Sequence, residues 1–221
     1  MRASKANNDL KWVRTFDYED GLPYGKINCL VTDSANYVYI GTVNGVYYYN
    51  GIKIKPLASL CAIDSIAEVL GSEVFDMVAH GASMVYIGLS SGLVAFNKED
   101  NSFRLIKNSP KGNSIQNNYI RSLYIANNTL YAGNWYGYST INLADGSIKN
   151  FQLPAQANNK FAQCVTSLYH YAPKKLAYCG HMERRPLCFR QLGQHCKAFA
   201  KHAWPSRRFG GSRVNCQAFL Q

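Results

Sequence analysis

The sequence predicts an all-β fold: a β-propeller fragment of about three and a half four-stranded antiparallel blades, followed by an irregular C-terminal tail. The first observation is a Tyr-x-Gly motif that closes at Gly41, Gly88, Gly133 and Gly180, with spacings of 47, 45 and 47 residues. The second is a glycine four residues after each of the first three motifs and an asparagine nine residues after it. The third is that short apolar runs, separated by turn-forming residues, surround every motif. Repetition at about 45 residues is typical of propeller blades.

The first repeat shows how each blade is predicted to be built. Residues 38–42 and 46–49 are β-branched and aromatic runs, and Gly45 permits a positive φ in the turn that joins them. They are therefore predicted to form the middle hairpin. The preceding apolar run, 27–32, is the predicted inner strand, and the more polar run 52–57 is the predicted outer strand.

The later repeats contain the same elements. Inner strands are predicted at 74–79, 120–126 and 165–171, and outer strands at 102–107 and 147–153. One helical turn is predicted over 65–70, in the link between the first two blades. Residues 11–16 are predicted to form an outer strand that completes a blade whose inner strands are not adjacent to it.

The charge is distributed unevenly along the chain. The formal net charge is +11, but residues 181–221 contain eight of the 24 Lys and Arg residues and a single acid, so the partial propeller predicted over residues 11–180 is only mildly basic. We therefore expect no nucleic-acid partner for it. The N-terminus lacks the apolar core of a signal peptide, and no run of about 18 apolar residues predicts a membrane segment.

Residues 181–221 are predicted to be a basic tail outside the propeller. The repeat requires a glycine at position 184, where the sequence has Arg184, and residues 181–186 show neither strand alternation nor turn chemistry. We interpret the tail as the product of a shifted reading frame, a truncated gene or a misjoined reading. Translation of the DNA beyond Gly180 in all three frames tests this interpretation, because another frame should then resume the repeat.

Two alternative interpretations of the tail assign it a function. A nucleic-acid-binding tail would use Trp204, Arg207 and Arg208. A zinc site would draw on Cys188, His195, Cys196, His202 and Cys216. Neither set has a recognised spacing, and basic tails are usually poor in cysteine, so the disrupted frame is the favoured interpretation.

The first repeat also resembles a known family. The residues that carry the resemblance are Asp20-Gly21-Leu22-Pro23, Ile27, Leu30, Asp33, Tyr39-Ile40-Gly41-Thr42, Gly45-Val46 and Tyr49-Asn50-Gly51. They resemble the two-component regulator propeller repeat, over about residues 11–180 and with decreasing specificity along the chain. Tyr39, Tyr86 and Tyr131 stand where the family commonly has tryptophan.

The resemblance implies a function and a setting. Such repeats build the periplasmic sensor region of bacterial hybrid two-component systems, many of which respond to polysaccharide breakdown products. It therefore implies a non-catalytic sensor propeller, an oligosaccharide ligand and the remaining blades of an intact receptor as partners. No histidine-kinase or receiver motif occurs in this chain.

The candidate ligand-binding residues are Asn44, Asn134, Trp135 and Tyr136. In propellers the turns of the middle hairpins and the links between blades lie at the same end of the ring, where ligands commonly bind. Aromatic faces stack on the C–H surface of a sugar and amides bind its hydroxyls. One alternative is that Trp135 and Tyr136 only pack against the neighbouring blade. Another is that the propeller is a generic scaffold that binds another protein.

The sequence does not predict an enzyme. Asp76, His80 and His170 lie near the ends of innermost strands, where propeller hydrolases and lyases place such groups, but they occupy different positions in the repeat. Residues 1–180 contain no phosphate loop, nucleophile elbow or metal-binding spacing. We therefore expect no catalytic residue, metal ligand or cofactor.

Overall fold

A computed structural model describes residues 15–155, 163–171, 176–180, 187–192 and 195–199. These ranges contain sixteen β-strands, one α-helix, α1 (Asp64–Leu70), and a 3-10 helix (Leu57–Leu60). The strands are β1 (Ile27–Thr32), β2 (Val38–Thr42), β3 (Gly45–Tyr49), β4 (Ile54–Pro56), β5 (Val74–His80), β6 (Met84–Leu89), β7 (Gly92–Asn97), β8 (Ser102–Ile106), β9 (Ser122–Ala126), β10 (Thr129–Asn134), β11 (Gly137–Asn142), β12 (Ile148–Gln152), β13 (Ser167–Tyr171), β14 (Leu176–Gly180), β15 (Leu187–Leu192) and β16 (His195–Phe199).

The strands form four-stranded antiparallel sheets in which neighbours in sequence are neighbours in space. Strands β1 to β4 form the first sheet, β5 to β8 the second, β9 to β12 the third and β13 to β16 the fourth. The inner strands follow one another in chain order, because β1 contacts β5, β5 contacts β9 and β9 contacts β13. The chain is therefore a β-propeller arc, which confirms the predicted fold class.

Apolar cores fill the spaces between neighbouring sheets. Between the first and second sheets, Tyr39 and Val46 pack with Ile87 and Phe96, and all four are almost fully buried. Helix α1, which confirms the predicted helical turn, adds apolar side chains to this core. A second core joins the second and third sheets. Each blade is thus stabilised mainly by its neighbours.

The strand bounds agree with the sequence prediction except at the ends of several strands. The clearest difference is β4, which begins at Ile54 instead of residue 52. The backbone N–H groups of Ile52 and Lys53 both donate to Asn50 Oδ1, at 3.1 Å each. These residues therefore belong to the turn, because asparagine side chains close turns of this kind.

The glycine of each of the first three Tyr-x-Gly motifs makes room for the next blade. A Cβ atom built on Gly41 would lie 2.7 Å from Val74 Cγ1, and one on Gly88 would lie 2.9 Å from Ile120 Cγ2. Gly133 stands in the same relation to Val165. The three apolar partners are fully buried. We call each pair a glycine socket; the sockets give the repeated glycine a packing role between blades.

The fourth sheet differs from the sequence prediction, which gave it only two inner strands and placed residues from 181 outside the propeller. Strands β15 and β16 instead continue the sheet from β14. Pairing of this kind uses backbone N–H and C=O groups, so it does not require the repeat glycine that Arg184 replaces. Residues 11–14 of the predicted N-terminal strand and residues 200–221 lie outside the described residues. The disrupted reading frame remains a proposal.

Candidate ligand-binding site

The middle-hairpin turns and the links into the blades share one edge of each sheet. In the first sheet Ile27, at the start of β1, pairs with Thr42, at the end of β2, and in the second sheet Val74 pairs with Leu89 in the same way. We call this end of the arc the turn face; its turns are residues 43–44, 90–91 and 135–136. The four predicted ligand-binding residues all belong to these turns or to the strand end beside them.

Asn44 lies exposed on the turn face next to two tyrosines. Its Nδ2 donates to the backbone oxygen of Tyr24 at 2.6 Å, and its backbone N–H donates to Thr42 Oγ1 at 3.0 Å. Tyr24 stacks on Tyr18 with ring centroids 5.4 Å apart and an interplanar angle of 17°. The two rings are 76% and 57% exposed. Asn44 therefore holds the link residue Tyr24, which the sequence places at the ligand-binding end, in an open aromatic pair with Tyr18, which the sequence analysis did not consider.

Asn134 has a different environment, because it is fully buried. Its Oδ1 accepts the backbone N–H of Tyr136 at 3.0 Å, and its Nδ2 lies 3.5 Å from Ser139 Oγ. These contacts fix the 135–136 turn. In this geometry Asn134 shapes the turn that carries Tyr136, whose ring is 44% exposed.

Trp135 is half-buried and belongs to an aromatic cluster. Its ring meets Tyr119 edge-on, with centroids 5.4 Å apart and an interplanar angle of 85°. The ring of Tyr119 lies 4.6 Å from that of Phe75, at the start of β5. Trp135 thus packs within its own blade, through Tyr119, toward the second blade. Tyr136, one residue further on, remains open to solvent.

Arg121 is the functional candidate that sequence reasoning missed. Its guanidinium carbon lies 4.8 Å from the centroid of Phe75 and 5.8 Å from that of Tyr119. Its Nε is buried and has no hydrogen-bond acceptor among the described residues. The available signal was a lone arginine between Ile120 and Ser122, immediately before an inner strand. We call Phe75, Tyr119, Arg121 and Trp135 the aromatic–arginine cluster.

The three residues considered for catalysis do not form a common site in the described structure. Burial raises the pKa of Asp76 to about 6, although its carboxylate accepts backbone N–H groups from Leu123 at 2.8 Å and Met77 at 2.9 Å. The bond from Leu123 joins the second blade to the third, whereas Met77 is the next residue of the same strand. His80 lies at the far end of β5, and the side chain of His170 lies outside the described residues. Asp76 is therefore a link between blades.

A cavity of about 270 Å³ opens between the first two blades at the end opposite the turn face. Its lining includes Tyr37 and Tyr48, and the amine of Lys98, which forms an ion pair with Asp33 at 2.5 Å. Asp33 is buried and also accepts the Tyr37 backbone N–H at 3.0 Å. The ion pair therefore joins the two blades beside this cavity.

The described part of the chain offers no group of three or more His, Cys, Asp or Glu side chains placed to hold a metal ion. The side chains of the residues considered for a zinc site fall outside it. Among the same described residues, no helix has the length and apolarity needed to cross a membrane.

Comparison with solved structures gives the same fold. The extracellular domain of the hybrid two-component system BT3049 from B. thetaiotaomicron superposes with a TM-score of 0.68 and 18% identity, over 84% of this chain and 26% of that one. The extracellular domain of the one-component system BT4673 from the same organism gives 0.57 and 16%, over 75% and 20%. The WD40 repeats of RRP9 give 0.56 and 12%, over 80% and 52%. At these identities the likeness establishes the propeller fold.

The chain spans about a quarter of the length of the sensor domains that it resembles. No protein-family model matches the sequence, and no curated protein matches it. Sensor propellers and WD40 propellers share the architecture of this chain, so the fold alone does not distinguish their functions.

Proposed function

We propose that the chain is part of a ligand-sensing propeller of a bacterial two-component sensor, with its turn face as the saccharide-binding site. The resemblance of the first repeat to two-component regulator propellers and the likeness to extracellular sensor domains both support this assignment. In the intact receptor the propeller would lie in the periplasm and would couple ligand binding to a distant kinase. The chain itself would bind and not catalyse.

The observation that carries the proposal is the set of accessible aromatic rings on the turn face. Tyr18 and Tyr24 form an exposed stacked pair beside Asn44, and Tyr136 is held outward by the buried Asn134. Rings of this kind offer a flat apolar face with a polar edge. A pyranose ring presents the complementary surface: C–H groups on its face and hydroxyls around its edge.

A protein-interaction scaffold is the alternative, because exposed aromatic residues also serve protein interfaces. Calorimetric titration of the 221-residue chain distinguishes the two. The titrants should be neutral and acidic oligosaccharides in one series and candidate protein partners in the other. Saturable binding heat with a saccharide supports the sensor. If no saccharide gives binding heat and a protein partner does, the result supports the scaffold.

The residues are tested by changing Trp135 and Tyr136 together to alanine. Loss of stacking surface should weaken saccharide binding by about tenfold or more, since one aromatic contact contributes about 0.5–1.5 kcal/mol beyond its buried area. Ile52→Ala is the control, because Ile52 is 74% exposed and lies at the opposite end of the first blade. An unchanged affinity in the double variant would remove this turn from the proposed site.

A further inference from the structure

The aromatic–arginine cluster contains a cation that the described protein does not neutralise. No carboxylate of the described residues forms an ion pair with Arg121, whereas Lys98 on the second blade is paired with Asp33. A guanidinium has five N–H donors in a planar fork. Arg121 is partly exposed, and the rings of Phe75 and Tyr119 hold it by cation–π contacts.

Among the described residues, the carboxylate of Asp76 is held by backbone N–H donors and forms no ion pair with Arg121. Asp76 lies at the interface between the second and third blades. Its pKa is set by burial and by the hydrogen bonds that its carboxylate accepts from the backbone N–H groups of Leu123 and Met77. Burial raises the pKa of Asp76, and the hydrogen bonds from Leu123 and Met77 oppose that rise. Arg121 does act on the Cys164 thiol, where its charge opposes the rise in pKa that burial causes.

The cluster lies where three blades meet on the turn face. Phe75 comes from the start of the second blade, Tyr119 and Arg121 from the link into the third, and Cys164 from the link into the fourth. Trp135 closes one side from the turn that also carries the exposed Tyr136. A ligand bound at this point would contact both aromatic ring faces and the guanidinium of Arg121.

A guanidinium beside aromatic rings favours saccharides that carry a negative charge over neutral ones. A guanidinium binds a carboxylate or a sulfate through two parallel N–H···O bonds, and such bonds are about twice as strong as neutral ones. A neutral sugar could satisfy the same donors only through hydroxyls. The aromatic rings restrict water around the cation, which strengthens the attraction to an anion.

We propose that the aromatic–arginine cluster is an anion-selective subsite and that the saccharide recognised by the turn face carries a carboxylate or sulfate bound by Arg121. This inference rests on the proposed saccharide-binding function and specifies its ligand class. Arg121 provides the bidentate contact, while Trp135 and Tyr136 provide stacking surface beside it.

Matched ligands test the proposal without changing the protein. The 221-residue chain is titrated with trigalacturonate and with its fully methyl-esterified form, and then with a galactose-6-sulfate oligosaccharide and its desulfated form. We expect the acidic member of at least one pair to bind about 10- to 100-fold more tightly, the ratio expected for hydrogen bonds to a charged group. The pair that shows the preference identifies the anion.

Variants then assign the preference to one residue. Arg121→Gln should remove the preference for the acidic member, and Arg121→Lys should retain part of it because a point charge remains without the fork. Arg104→Gln is the control, since Arg104 is an exposed arginine on β8 and its replacement makes the same change in net charge. Circular dichroism of each variant verifies the fold, and the ligand pairs test the inference even if Arg121→Gln does not fold.

The outcomes separate the two proposals. Equal binding of acidic and neutral members overturns the anionic subsite and leaves a saccharide site in place. Equal losses in Arg121→Gln and Arg104→Gln also overturn it, because they would indicate attraction to net charge alone. If no saccharide of either kind binds, the proposed function fails and the subsite fails with it.

Discussion

Asp76 shows how a single buried group can oppose stability while it joins two blades. Its carboxylate accepts N–H groups from Leu123 and Met77, yet burial raises its pKa from 3.8 to about 6. Because the folded-state pKa lies above the ordinary one, the folded protein favours the protonated carboxyl. The stability contributed by this group is complete below about pH 4 and is lost as the pH rises through about 6.

The pH dependence of unfolding tests this account of Asp76. Asp76→Asn keeps an oxygen that can accept the Leu123 N–H but cannot ionise. We expect the free energy of unfolding of the variant, minus that of the parent chain, to increase by about 2–3 kcal/mol from pH 4 to pH 7. Each unit of pKa shift corresponds to about 1.4 kcal/mol. Urea unfolding at a series of pH values measures the difference.

Asp100 provides a control of opposite sign. Hydrogen bonds from the side chain and backbone of Ser102 lower the pKa of this exposed carboxyl, so its contribution to stability is present at neutral pH and is lost as the pH falls. Asp100→Asn should therefore lose stability at neutral pH relative to acid. A pH-independent difference for Asp76→Asn would contradict the burial argument.

Two residues at one turn illustrate what the sequence could and could not predict about the site. Asn134 and Tyr136 were both predicted to meet a ligand, and the structure buries the first and exposes the second. Whether a turn residue points inward depends on the hydrogen bonds it makes, here to the Tyr136 N–H and Ser139. A spacing rule carries no information about those bonds.

At the scale of the strand and turn, local chemistry made the blades predictable. Asn50, Asn97 and Asn142 each accept a backbone N–H two residues further on and so close the turn into the outer strand. The repeated asparagine is therefore a signal of local structure. The aromatic–arginine cluster was not predictable in this way, because Phe75 and Tyr119 belong to different blades and meet only through lateral packing.

The glycine sockets give a prediction about how neighbouring blades pack. Gly88→Ala places a Cβ about 2.9 Å from Ile120 Cγ2, and overpacking of this kind costs about 1–3 kcal/mol in free energy of unfolding. In the double variant Gly88→Ala/Ile120→Ala the methyl group that clashes is absent. Chemical unfolding should therefore show that the double variant loses less stability than the sum of the two single variants.

A distant pair controls for this coupling. Ile54 is buried on β4 of the first blade, away from the Gly88 socket, so Gly88→Ala and Ile54→Ala should be additive within about 0.5 kcal/mol. If the changes in free energy of unfolding were also additive for Gly88→Ala and Ile120→Ala, the contact in the glycine socket would not be the cause of the lost stability.

For the molecule as a whole, the first blade differs from the second in what covers its inner strand. Val74 and Met77 on β5 are 0% and 4% exposed, because the first blade packs over them. Ile27 and Leu30 occupy the corresponding positions on β1, by their pairing with β2, and are 45% and 60% exposed. The face of β1 thus has the composition of an interface between blades, and we propose that a further blade of an intact receptor covers it.

The equivalence of Leu30 and Met77 in the repeat allows a matched test of that open face. Met77→Ala should cost about 2–5 kcal/mol in free energy of unfolding, because it leaves a cavity in a packed core. Leu30→Ala should change it by no more than about 0.5 kcal/mol, as is usual for surface positions. Urea unfolding of the 221-residue chain, with the two variants side by side, gives both values. Equal losses would mean that the β1 face is covered in solution, by a second copy or by another part of the chain, and the exposed leucine would then have to be reassigned to a formed interface.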